Sequence, residues 1–293
     1  RFESTNYLQI PAMHPLIVGD TVVFRSLGNL KAIHKLTGEF LWETFAYDSE
    51  FMSLVAQMRT ADLRREDEIT ELQRYIMQRT WRDMTSGTLS SNGELIFAIE
   101  EQGLLKPARP VNSHREQNYN KLMAYELASG KAVWELGGPT ENRAGVQFLG
   151  PPLVQGNLLY CLISRNEEIL LIALKNRELA NGRKIVEWLW EQPLPTPISS
   201  ELSQQMPLWK LTGLTPSYAN GVLICPIAHE TVIGYDLARG IFSWQFRYTD
   251  ELSHSKKTMD KLYHFQSDYG ISPADEDRWL DTAPIIAEGR VIL

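Results

Sequence analysis

Positive charge is in short supply. Lys and Arg number 29 against 36 Asp and Glu, a formal net charge of −7, and a phosphate backbone demands the opposite balance, so no nucleic-acid partner is expected. Long apolar runs are missing too: no stretch approaches the ~18 residues of a membrane-spanning helix, and no transmembrane segment is predicted. There are only two cysteines, Cys161 and Cys225, too few for a disulfide framework. They read as buried thiols acting as small hydrophobes, which leaves the redox compartment open. Catalytic signatures are absent as well, with no G-x-S-x-G elbow, no H-E-x-x-H, no P-loop and no G-x-G-x-x-G after a strand. The six histidines, His14, His34, His114, His229, His254 and His264, are scattered. His254 and His264 would need a third ligand such as Asp268 to hold a metal. Asp275, Glu276 and Asp277 lack the alternating spacing and glycine of a calcium loop. Both groups read as solvated loop residues, and no catalytic, cofactor-binding or metal-binding residue is assigned.

What the chain does have is a repeat. Leu122 to Trp134 reads LMAYELASGKAVW, Leu30 to Trp42 reads LKAIHKLTGEFLW and Val232 to Trp244 reads VIGYDLARGIFSW, and the three align without a gap. A stretched fourth copy opens at Leu171, turns at Gly182 and ends at Trp190. Each copy places a small residue third (Ala32, Ala124, Ala173, Gly234), where it leaves room for a large neighbour. A glycine follows (Gly38, Gly130, Gly182, Gly240) where a hairpin needs positive φ. The returning strand then carries a tryptophan (Trp42, Trp134, Trp190, Trp244) large enough to dominate local packing. Trp188 competes with Trp190 for that place; Trp190 is preferred because Glu191 follows it as Glu43 and Glu135 follow theirs. All four tryptophans are expected to be largely buried at contacts between repeats.

Upstream of each copy stands a second hairpin. Gly19-Asp20, Asn92-Gly93, Gly156-Asn157, Asn220-Gly221 and Glu288-Gly289 are tight-turn dipeptides flanked by apolar runs. The unit therefore has four strands, A to D, with tight A–B and C–D turns, which is the plan of a β-propeller blade. Cys161 lies five residues after Gly156 and Cys225 four after Gly221, which predicts strand B of adjacent blades with opposite side-chain parity and no bond between them.

The pattern resembles the tryptophan-docking motif of the quinoprotein-like (PQQ-like) propeller repeat, Ala-x-Asp-x-x-Thr-Gly-x-x-x-Trp. It stands here as Ala32, His34, Thr37, Gly38, Trp42, as Ala124, Glu126, Ser129, Gly130, Trp134, and as Gly234, Asp236, Arg239, Gly240, Trp244. Only Asp236 keeps the family's turn aspartate. The fold expected is all-β: a propeller over residues 1–293 with blades at about 13–46, 86–135, 150–192 and 214–247. A fifth blade begins at 282–293 and stops one strand pair in, so a larger ring is expected. The segment 47–85 changes to helical spacing, with Phe51, Leu54, Val55 and Met58 and then Ile69, Leu72 and Ile76 in phase. Two inserted helices are predicted, over 49–59 and 66–81.

Nearly all the additional chain falls in D–A and B–C connections, at 47–87, 101–120, 137–149, 192–214 and 246–281, with one C–D excursion at Lys175 to Lys184. Up-down strands send all D–A and B–C connections to one face, and loops on a rigid scaffold are where binding is built. A protein partner is expected there. The resemblance implies two functions: a non-catalytic scaffold of the bacterial cell envelope, periplasmic or envelope-associated and without a cofactor, or part of a quinoprotein alcohol dehydrogenase using PQQ and calcium. That enzyme class usually carries adjacent bonded cysteines, and no Cys-Cys pair occurs here. The scaffold reading is preferred.

Overall fold

The computed structural model describes residues 12–45, 76, 79–80, 83–100, 119–138, 145–165, 168–195, 212–227, 231–247, 284–288 and 290–292. Among them lie four antiparallel sheets in simple sequential order and the start of a fifth. The first blade is β1 (Leu16–Val18), β2 (Thr21–Arg25), β3 (Leu30–His34) and β4 (Phe40–Glu43). The second is β5 (Ser90–Ser91), β6 (Leu95–Glu100), β7 (Lys121–Glu126) and β8 (Ala132–Gly137). In the third, β10 (Leu153–Gln155), β11 (Leu158–Arg165), β12 (Glu168–Glu178) and β13 (Lys184–Pro193) are joined by a short β9 (Gln147–Phe148) that pairs with β11. The fourth is β14 (Ser217–Ala219), β15 (Val222–Ile227), β16 (Thr231–Asp236) and β17 (Ile241–Arg247), and β18 (Ile285–Ala287) with β19 (Arg290–Ile292) begin the next. The fold is an all-β run of propeller blades, as the repeat predicts.

The turns are made as their residues demand. Gly38, Gly130 and Gly240 take φ of 69°, 69° and 68°, and each amide bonds back to the carbonyl four residues earlier, on His34, Glu126 and Asp236. Replacing the family's turn aspartate does not cost the turn. Asp236 accepts from the amides of Ala238 and Arg239, His34 Nδ1 accepts from the Thr37 amide at 3.3 Å, and the Glu126 carboxylate accepts from the Ser129 hydroxyl.

Register is the device that repeats most faithfully. Ala32 lies opposite Trp42, Ala124 opposite Trp134, Ala173 opposite Trp190 and Gly234 opposite Trp244. In every blade the register slips directly after that pair, a β-bulge that sharpens the twist and re-aims the indole. Leu174, the residue after Ala173, pairs with Trp188, so Trp190 and not Trp188 is the equivalent tryptophan. The need for a small residue opposite is direct at Gly234, where a Cβ would sit 2.3 Å from the Trp244 ring.

Three apolar cores separate the blades. The first joins Val23, Ala32 and Trp42 to Ile96, Ala98, Met123 and Tyr125. The second joins Phe97, Ala124 and Trp134 to Leu159, Cys161, Ile163, Ile172 and Leu174. The third joins Tyr160, Leu162, Ala173 and Trp190 to Leu223, Cys225, Ile227, Ile233 and Tyr235. The second and third blades are thus slabs apolar on both faces, and stacking is what buries them.

Two expectations need correction. Cys161 and Cys225 do not have opposite parity: each is the residue after the one opposite the small residue, Tyr160 and Ile224, and each faces the preceding blade. The turns differ in phase, Gly156-Asn157 matching Asn220-Gly221 with the glycine displaced by one. Both thiols are free and fully buried, and burial pushes both pKa values far above the ordinary thiol value. Trp244, expected to be buried, is 39% exposed, because no C–D hairpin of a following blade stands against it among the described residues. The helices expected over 49–59 and 66–81 fall almost wholly outside the described residues.

Candidate functional site

The inter-blade contacts are where this sequence places its distinctive side chains, and they are not equal. At the first interface Trp42 is 6% exposed, and its indole Nε1 donates to the Leu127 carbonyl of the second blade at 2.8 Å. Its ring lies so close over Gly130 that a Cβ there would meet it at 2.4 Å. At the second, Trp134 packs 5.8 Å from Phe97, and its Nε1 donates to Asn176 Oδ1 of the third blade at 3.2 Å. Leu127 and Asn176 are both the third residue after the small residue of their own blade. Leu237 holds that position in the fourth blade.

At the third interface the bond is not made. Trp190 is only partly buried, with its ring 6.2 Å from Tyr160 and 5.8 Å from Tyr235. Among the described residues neither Trp190 Nε1 nor the Leu237 carbonyl has a hydrogen-bond partner. Instead a cleft of about 380 Å³ opens there, lined by the rings of Tyr160, Trp190 and Tyr235, by Glu191 and Gln192, and by Leu237 and Gly240. Arg165 holds Glu191 in a two-point ion pair. Burial raises the phenol pKa values of Tyr160 and Tyr235, so both rings stay neutral hydrogen-bonding walls.

A charged cluster that the sequence reading missed lies buried between the first two blades. Arg25, at the end of β2, makes two bonds to the Glu100 carboxylate at 2.8 and 3.0 Å and one to the Ile99 carbonyl. Tyr125 donates to the same carboxylate at 3.2 Å. The signal was available: each charge ends an otherwise apolar strand, TVVFR and LIFAIE. Beside it a four-residue helix α1 (Met84–Gly87) is capped by Asp83, which accepts from the Ser86 amide and pairs with Arg79. Desolvation raises the Asp83 pKa, outweighing the lowering by Arg79, the Ser86 amide and Arg25.

That helix reaches further than its neighbours. The Ala12 amide donates to Thr80 O and the His14 amide to Gly87 O, ahead of the first blade. Thr85 Oγ1 donates to Leu149 O, ahead of the third, and accepts from the Gly213 amide, ahead of the fourth. Thr80, Thr85 and Gly87 therefore tie together the approach segments of the first, third and fourth blades. Among the described residues no three of His, Cys, Asp and Glu converge as metal ligands would, and no helix there is long and apolar enough to cross a membrane, a statement that does not reach β-barrels.

No family model matches the chain, and no curated protein matches its sequence. Solved structures are similar in fold. BamB from Moraxella catarrhalis is 13% identical with a TM-score of 0.46, over 81% of this chain and 53% of that one. The quinohemoprotein alcohol dehydrogenase from Pseudomonas putida HK5 is 10% identical with a TM-score of 0.46, over 80% of this chain and 34% of that one. The one from Comamonas testosteroni is 11% identical with a TM-score of 0.45, over 82% and 35%. The chain spans about half or less of each of these structures.

Proposed function

We propose that this chain is a non-catalytic propeller scaffold for protein interaction or assembly in the bacterial cell envelope, binding through the face that carries the D–A and B–C connections. One observation carries the reading: the four blades have tight A–B turns and three tight C–D turns, while the long connections all leave from the opposite ends of the strands. The repeat's distinctive residues serve packing, since the small residue, the turn glycine and the tryptophan each have a blade contact or a bulge to account for them. PQQ and calcium belong to the enzyme alternative. No step is derived through either.

The test replaces 48–82 by a short linker and, separately, shortens the C–D excursion at 179–183, then cross-links each protein in envelope preparations. The scaffold reading expects a specific cross-linked partner that survives the second change and is lost with the first. Dye-linked alcohol oxidation by protein reconstituted with the quinone and calcium, above a protein-free control, would overturn it.

A further inference from the structure

We infer that the cleft at the third interface is a receptor for a tryptophan side chain presented by another protein. The molecule itself supplies the template. At the first interface the second blade offers a carbonyl, Leu127 O, and a bare glycine backbone, Gly130, and what seats on them is an indole with its N–H on the carbonyl. The fourth blade offers the same pair in the same register, Leu237 O and Gly240, whose φ of 68° matches the 69° of Gly130. At the third interface that surface is left open. A Cβ on Gly240 would have only the Tyr235 hydroxyl near it, at 3.7 Å, where one on Gly130 would collide with an indole.

The resident tryptophan does not take the place, and its neighbours explain why. In the second blade Tyr125 is drawn inward by its bond to Glu100 and is fully buried. The fourth-blade equivalent of Glu100 is Ile227, three residues past the partner of the small residue in each strand B, which gives Tyr235 no acceptor. Tyr235 stands instead against Trp190 and Phe242, with ring centroids at 5.8 and 5.6 Å, and holds Trp190 off the Leu237 carbonyl. The opening has the volume of a small-ligand site and aromatic walls suited to a planar ring. A tryptophan from outside would donate its N–H to Leu237 O, lie over Gly240 and stack on Trp190 and Tyr235. This goes beyond the scaffold reading, which concerns the loops, and either can fail without the other.

The probe is N-acetyl-tryptophanamide, titrated against the full chain and followed by saturation-transfer NMR, with N-acetyl-leucinamide as the comparison ligand. Saturable binding of the tryptophan derivative is expected, weakened about tenfold or more in Gly240→Asn, which adds a side chain over the seat while tolerating positive φ. Gly182→Asn, at an open turn of similar φ, should bind as the unmodified protein does. Tyr235→Leu removes one aromatic wall without touching a positive-φ residue and should also lose binding, which keeps the test decisive if Gly240→Asn does not fold. Absence of saturable binding, equal binding of the leucine derivative, or binding unchanged in the folded variants overturns the inference.

Discussion

The first and third interfaces between blades share a register and a bulge, and they differ in what surrounds the tryptophan. At the first, Arg25 and Glu100 form a buried ion pair that also fixes Tyr125, and Trp42 completes its bond to Leu127 O. At the third, the same two positions are Leu162 and Ile227, both fully buried and apolar, and Trp190 stops short of Leu237. The motif that repeats along the chain thus places an indole at each interface but does not seat it. Seating depends on residues outside the motif that decide where the receiving tyrosine goes.

The comparison is broken most easily at its largest effect. Trp42→Ala should destabilise by ~3–5 kcal/mol, whereas Trp190→Ala, which removes a ring only partly buried and without a hydrogen bond, should cost about half as much. Denaturant midpoints at constant m-value measure both, and equal losses would abolish the distinction between the two contacts.

Removing one member of the buried pair is the next lever. Glu100→Gln leaves Arg25 buried and uncompensated and should cost roughly 3 kcal/mol. Replacing both by the third interface's own residues, Arg25→Leu with Glu100→Ile, should recover most of that loss, because well-packed apolar groups replace a buried pair at little cost. The same double variant should release Tyr125, and the readout is a weakened Trp42 bond, seen as a shift of its indole N–H resonance.

A smaller effect sharpens the comparison at the seat itself. Ala at either Gly130 or Gly240 carries the cost of positive φ, ~1–2 kcal/mol. At Gly130 the new Cβ also meets the Trp42 ring, and overpacking adds ~1–3 kcal/mol; at Gly240 it meets nothing closer than the Tyr235 hydroxyl. Paired thermal melts give the difference, with Gly130→Ala expected to be the less stable.

The blade plan was legible because its residues are fixed by local rules that recur: a glycine at positive φ, a small residue opposite a large one, turn dipeptides between apolar runs. Trp190 was distinguishable from Trp188 on the glutamate that follows it, and the register agrees. The cysteine parity was misread because the A–B turn places its glycine first in one blade and second in another, a one-residue ambiguity that flips every side chain of a strand. Trp244 was misread because burial of a docking residue is a property of its neighbour, which the local sequence does not contain. The Arg25–Glu100 pair, and the reach of Thr80, Thr85 and Gly87 across several blades, are contacts between residues that occur once. No repeat alignment exposes such contacts. A charge closing an apolar strand was the one hint.

Hydrogen exchange of the tryptophan indole N–H groups tests the seated and unseated states most directly. The Trp42 Nε1 proton, bonded to Leu127 O and buried, should exchange slowly, at rates approaching those of the strand amides in β6 and β7. The Trp190 Nε1 proton should exchange orders of magnitude faster, close to a solvent-exposed indole. Protection of Trp190 equal to that of Trp42 would contradict the account.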